Sequence, residues 1–337
     1  MKALRTKGVD PARCAIRWLA AGALALYSFG RVGAAGEVGL PNEHLRIHDP
    51  STIVKCGGEC WLFSTGQGIV SRHSPDRVNW IAGPRVFARS PAWVARAVPE
   101  HRGDFWAPDI IRVGGRYLLY YSVSAWGKKT SAIGLATNPT LDPADPNYRW
   151  TDQGCVVQTT ARDDFNAIDP SAFQDADGSL WLAFGSFWSG IKLIQLNPAT
   201  GLRLAPNSPM HALAHHDSIE APCLWRHGSN YYLFVNWGLC CRGTNSTYTI
   251  RVGRSAQITG PYLDRDGVNM LHDGGSSFLE SSGPAIGPGH AGIFTEGGTN
   301  WFSFHYYDAR RRGAASLGQR RLQWDAGGWP FLPTQLR

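Results

Sequence analysis

Past residue 35 this chain of 337 residues contains no apolar run long enough to cross a bilayer. It also has few stretches with a helical hydrophobic period, so a helical bundle is excluded. Cysteine is sparse. Of seven, six lie beyond residue 35: Cys56, Cys60, Cys155, Cys223, Cys240 and Cys241. That even count permits disulfides in an exported chain but is too thin for a disulfide scaffold. The spacings do not make paired C-x-x-C knuckles, which leaves a structural zinc site little support. Cys56 and Cys60 could close across a turn, and Cys240 and Cys241 could bond each other or pair elsewhere.

Net charge is scarce too, once it is located. Residues 1–35 begin with Lys2, Arg5, Lys7, Arg13 and Arg17, continue with the apolar run W-L-A-A-G-A-L-A-L-Y-S-F (18–29), and end in small residues at 32–35. This pattern predicts a signal peptide over 1–35, with a single domain over 36–337. The segment carries six basic residues and one acid, so its removal takes the formal charge from +7 to +2. Nucleic-acid binding then has little electrostatic basis. The expected product is a secreted or periplasmic protein, a monomer, with no stable membrane association.

What the chain does hold is turn formers and aromatics: 39 Gly, 21 Pro, 14 Trp, 14 Phe and 11 Tyr, in a sequence 43% hydrophobic. Many turns imply many short strands, an all-β chain with enough apolar mass for a sizeable core.

One pattern recurs at 49–65, 108–122, 169–186, 220–236 and 288–305. A polar residue near Pro leads into a short apolar strand, a Gly-containing turn, and an aromatic strand. Gly-Gly and Asp-Gly suit tight hairpins, and the flanks suit paired strands. With Asp49, Asp109, Asp169, Glu220 and His290 as anchors, the steps are 60, 60, 51 and 70 residues. Five such units predict a five-bladed β-propeller; a β-sandwich would not require the shared order.

In a propeller, equivalent positions converge on the axis, so acids distant in sequence would meet in one pocket. A lone acid at a strand start is ordinarily a turn or cap residue. Several in one pocket suit hydrolysis of a glycosidic bond, which needs one protonated carboxyl and one ionised carboxylate. A third can raise the acid's pKa by repulsion. Phe105, Trp106, Phe187 and Trp188 lie beside the anchors, where aromatics could stack on sugar faces.

H-D-P-S (48–51), F-W-A-P-D (105–109), N-A-I-D-P-S (166–171), G-S-F-W-S-G-I (185–191), I-E-A-P (219–222), C-C-R-G-T-N-S-T-Y (240–248) and G-P-G-H (287–290) occur in that order. Together they resemble glycoside hydrolase family 43, and within it the endo-1,5-α-L-arabinanases, over residues 44–332. The resemblance implies a five-bladed propeller acting on arabinan with inversion. It implies Asp49 as general base, Glu220 as general acid and Asp169 as the residue that tunes and orients Glu220. Asp109 matches a motif position that reads equally well as structural. His290 matches a histidine beside a calcium ion held mainly through water. Trp106, Asn166, Ala167, Ile168, Ser186, Phe187 and Trp188 would line the sugar site. Gly134 could allow close backbone approach, although a plain strand glycine is the other reading. An exo-acting arabinofuranosidase, a β-xylosidase and a catalytically silent sugar-binding propeller remain alternatives.

Overall fold

The computed structural model describes residues 45–333; the segment expected to be a signal peptide lies outside them. The described residues form the expected five-bladed β-propeller. Blade 1 spans Val54–Cys56 to Ile81–Ala82, blade 2 Asp104–Val113 to Thr151–Thr159, blade 3 Ser171–Gln174 to Met210–Ala214, blade 4 Ile219–His227 to Ser276–Leu279, and blade 5 Ala285–Glu296 to Ala314–Arg321. Neighbouring strands within each blade run antiparallel.

Tight turns make the hairpins. Gly114 and Gly115 join the first two strands of blade 2 with φ of 56° and 82°. Two consecutive positive φ angles match the right-handed twist of paired strands, and glycine adopts them without a Cβ clash.

The aromatic runs follow from the layering. Each blade is covered by its neighbours, so the middle strands are buried on both faces, as Tyr117–Val123 and Ser131–Asn138 are throughout. The core is accordingly divided by interface. Phe63 packs with Phe105 and Tyr121 between blades 1 and 2, and Leu118 with Phe184 between blades 2 and 3. Leu193 packs with Leu233 between blades 3 and 4, and Phe234 with Phe302 between blades 4 and 5. Ile47 and Leu62 meet Phe294 and Leu317 between blades 5 and 1. The start of the described chain closes the ring: Arg46 bridges Ser316, and Ile47 N–H donates to Ala315 O at 3.2 Å on the last strand of blade 5.

The repeat has a different phase from the one its acids suggest. The inner strands share a non-glycine residue in the left-handed region: Asp49, Ala107, Asp169, Ala221 and His290, with φ between 43° and 58°. The first four each precede a proline. The common position is therefore occupied by Asp, Ala, Asp, Ala and His. Asp109 follows it by two residues and Glu220 precedes it by one, so an acid does not recur in one structural slot. Bulges after Trp106 and after Glu220 accompany these offsets, and a bulge re-aims the side chains beside it.

Asp109 turns inward as a tie between blades. Its Oδ1 accepts the Thr52 N–H at 3.0 Å and its Oδ2 the Ala172 N–H at 2.9 Å. Those donors follow the two Asp-Pro-Ser stretches at the same offset, so one carboxylate fastens blade 2 to blades 1 and 3. Asp109 is 5% exposed and does not line the cleft, in keeping with the structural reading of this residue.

Cys56 and Cys60 are free. In their hairpin Cys56 faces Glu59 and Lys55 faces Cys60, which puts the two thiols on opposite faces of the sheet. Cys240 and Cys241 are bonded to each other.

Candidate active site

The inner strands open into a cleft of about 970 Å³ at one end of the axis. Asp49 from blade 1, Asp169 from blade 3 and Glu220 from blade 4 all line it. The left-handed backbone places Asp49 and Asp169 directly, since aspartate tolerates that region better than most residues. Glu220 reaches the same space from one position earlier on its strand.

Asp49 is held on every side. Its backbone N–H donates to His305 Nδ1 at 3.2 Å. Thr65 donates its hydroxyl to Asp49 Oδ2 at 2.7 Å and accepts the Ala107 N–H at 2.8 Å. His48 Nδ1 stands 2.8 Å from the same carboxylate oxygen. Burial alone would push the Asp49 pKa up. The charge of His48 and its hydrogen bond overcome that burial and hold the carboxyl well below the usual range. His48 is raised in turn: burial disfavours its charge, but Asp49 and then Glu220 favour it more. His290 and His305 are kept neutral, chiefly by burial. The pair Asp49–His48 is thus the ionised element of the site.

Glu220 is the opposite case. Ser186 donates to its Oε2 at 2.8 Å, and Tyr248 donates to its Oε1. Burial raises its pKa, the Ser186 hydrogen bond lowers it, and the Asp49 charge raises it, with a net value pushed up to about 7. Asp169 is raised as well, by burial and then by Glu220 and Asp49, although its Oδ2 accepts the Ala221 N–H at 3.2 Å. Three buried carboxyls with one fixed anion among them cannot all ionise, so Asp169 and Glu220 titrate as a pair that retains a proton. The cleft therefore presents one carboxylate and a protonated partner, the combination that acid–base hydrolysis requires.

Of the other residues singled out from sequence, Trp106, Asn166, Ile168, Ser186, Phe187 and Trp188 line the cleft. Asn166 is pinned there by a hydrogen bond from Ser131 at 2.5 Å. Ala167 and Gly134 do not line it. Ala167 is fully buried between blades 2 and 3. Gly134 sits inside blade 2, where an added Cβ would lie 2.4 Å from Tyr121 and 2.7 Å from Trp93, so its lack of a side chain serves packing. Sequence reasoning passed over Trp126, which is 74% exposed and stands edge-on to Trp106 at 6.4 Å. It also passed over His48, Tyr248 and Tyr307, of which the first two lie inside quoted motifs.

His290 meets the requirements for a single metal ligand. It is neutral, lines the cleft, and has its backbone N–H clamped by Asn236 Oδ1 at 2.9 Å. Its Nδ1 is 3.8 Å from Asp49 Oδ1. Calcium takes six to eight oxygen ligands, so most of a shell at His290 would be water. His305 Nδ1 already accepts a backbone N–H, which leaves the proton on its buried, unpartnered Nε2 and removes that ring as a ligand.

The chain is similar to known glycoside hydrolases in sequence and in fold. Residues 42–330 match the family described as Glycosyl hydrolases family 43. The extracellular exo-alpha-(1->5)-L-arabinofuranosidase ArbA of Cellvibrio japonicus is 44% identical over 299 residues, 84% of this chain and 85% of that protein. The extracellular endo-alpha-(1->5)-L-arabinanase 1 of Bacillus subtilis is 39% identical over 292 residues, covering 84% and 87%. Among solved structures, the Cellvibrio cellulosa alpha-L-arabinanase complexed with arabinohexaose superposes with a TM-score of 0.82 at 43% identity, covering 86% of this chain and 96% of that one.

Proposed function

The chain belongs to the family 43 glycosyl hydrolases, and from that membership we propose that it hydrolyses the α-1,5-L-arabinofuranosidic bonds of arabinan with inversion. Asp49 is the general base and Glu220 the general acid. The observation that carries this reading is the opposed ionisation of two carboxyls in one cleft, Asp49 held as the anion and Glu220 raised to about 7.

Asp49 takes a proton from a water molecule as the water oxygen attacks the anomeric carbon. The bond from that carbon to the glycosidic oxygen breaks, and Glu220 gives its proton to the departing oxygen. Asp169 contributes negative charge when ionised and so favours the protonated form of Glu220; it also orients the acid's strand through Ala221. Ser186 and Tyr248 hold the two oxygens of Glu220. Exposed Trp126 and Trp188 offer ring faces to sugars along the cleft. A calcium ion bound at His290, mainly through water, would add positive charge near Asp49 and favour its ionised form.

Endo action is the first reading, supported by the endo-acting relative at 39% identity. The exo-acting relative at 44% identity supports a second reading, release of short products from a chain end. Export to the periplasm or medium and action as a monomer complete the proposal; both relatives named are described as extracellular. The test is a product profile on linear arabinan. Mixed oligomers early in the reaction establish endo action, and a single small product establishes exo action. Release of no reducing sugar by the wild type would remove the substrate assignment.

A further inference from the structure

The base and the acid stand on different blades, yet one loop touches the supports of both. It runs from Gly238 to Tyr248, between the strands Asn230–Trp237 and Thr249–Ser255 of blade 4. Cys240 and Cys241, bonded to each other, form part of the cleft wall.

On the base side, the Cys241 backbone N–H donates to Tyr307 Oη at 2.7 Å. Tyr307 Oη lies 2.8 Å from His48 Nε2, and His48 Nδ1 lies 2.8 Å from Asp49 Oδ2. With a partner on each ring nitrogen, the His48 ring is fixed in orientation. On the acid side, the loop ends in Tyr248, whose hydroxyl donates to Glu220 Oε1. The two sides are joined within the loop. Leu239 O accepts from Ser246 Oγ at 2.9 Å and from Thr247 N–H at 3.1 Å, and Thr247 Oγ1 accepts the Leu239 N–H at 3.0 Å.

We propose that the Cys240–Cys241 disulfide is a positioning device for hydrolysis, holding this loop so that Cys241 and Tyr248 set the base and the acid relative to each other. The proposal rests on the assignment of Asp49 and Glu220 made above. A bond between adjacent cysteines closes a small ring that contains their shared peptide unit. Cys241 stands in the left-handed region with φ of 64°, which is uncommon for a non-glycine residue other than Asn or Asp and which the ring helps to hold. Opening the ring frees Cys241 to leave that region, which withdraws its N–H from Tyr307 and loosens the hold on His48 and Asp49.

A phosphine reductant tests this. It takes one water and the disulfide to two thiols and the phosphine oxide, the phosphorus supplying the two electrons. Among the described residues Cys56, Cys60, Cys155 and Cys223 are already free, so reduction there acts at this bond alone. Thiol counting by alkylation and mass spectrometry confirms that the bond has opened, and circular dichroism confirms that the fold persists. The expected result is a fall in kcat of roughly ten- to hundred-fold with KM little changed, reversed on reoxidation. Cys241 Sγ also lies 3.8 Å from His48 Nε2. Tyr307→Phe should therefore lower kcat in the same way, and reduction of that variant should add less than it does in the wild type, because the Tyr307 link is already cut and only the sulfur contact remains. Unchanged kcat after reduction, a change confined to KM, or fully additive effects of reduction and Tyr307→Phe would each overturn the proposal. Those outcomes are distinct from failure of the acid and base assignment, which would appear as full activity in Glu220→Gln or Asp49→Asn and would remove the proposal with it.

Discussion

Tyr248 donates its phenolic hydrogen to Glu220 Oε1 from the far end of the disulfide-bearing loop, so the proposed acid is oriented by a residue of its own blade 28 positions later. A hydrogen bond to a carboxylate favours the ionised form, while burial favours the protonated one. Tyr248→Phe keeps the ring and removes the donor. The Glu220 pKa should rise further, and the alkaline limb of the kcat profile should move to higher pH. Loss of orientation should lower kcat by roughly ten-fold at the optimum, with KM within about two-fold. Steady-state kinetics on debranched arabinan across pH measures both.

The wild-type pH profile follows from the same carboxyl. With Glu220 as the proposed acid, activity needs it protonated, so kcat should fall as pH rises past about 7. Stability has the same direction. The Glu220 pKa is raised in the folded state from 4.5 to about 7, so in that window the folded protein retains a proton that the unfolded chain has released. Its contribution is present in full below the unfolded value and is lost as pH rises through the folded value. Glu220→Gln, which cannot ionise, should gain in melting temperature relative to the wild type across that window. A constant difference would show that Glu220 is not raised.

Asp109 should prove a stability residue. Both of its oxygens accept backbone N–H groups from neighbouring blades, and it is buried. Asp109→Ala leaves Thr52 and Ala172 without their acceptor and should cost about 2–4 kcal/mol, read by urea denaturation. Residual activity of the folded fraction should persist, since Asp109 does not line the cleft.

Trp126 should act on binding. Its ring is exposed and edge-on to Trp106, so Trp126→Ala should leave the melting temperature unchanged. Loss of one stacking face should raise KM by roughly three- to ten-fold, with the larger effect on longer arabino-oligosaccharides.

Chelation should lower activity or melting temperature in the wild type, and calcium should restore it. His290→Ala should abolish that response. Elemental analysis that finds no calcium, with activity and melting both insensitive to chelator, would leave His290 as a hydrogen-bonded axial residue.

The five-bladed architecture was legible because it rests on local chemistry. Gly-Gly turns, aromatic strands and Asp-Pro starts are each readable within a few residues, and their repetition implies that the blades are alike. Asp49, Asp169 and Glu220 could be singled out for the same reason, each within a short motif. Their ionisation could not be read, because a pKa depends on burial and on charges brought from other blades: His48 beside Asp49, Asp49 near Glu220. The phase of the repeat was misjudged because backbone conformation is invisible in composition. Acidic side chains were the conspicuous feature, whereas the shared feature is the left-handed residue before proline, which two alanines occupy.

By itself, then, the sequence determined the all-β repeat, its blade count and the residues able to carry acid–base chemistry, since turn type and strand propensity are local properties. Tertiary structure alone decided that Asp109 is a tie between blades and that Gly134 serves packing. It decided too that Tyr248 reaches Glu220 and Tyr307 reaches His48. Those assignments depend on distances across the propeller axis, between residues up to 259 positions apart in the chain, and only closure of the ring sets such distances.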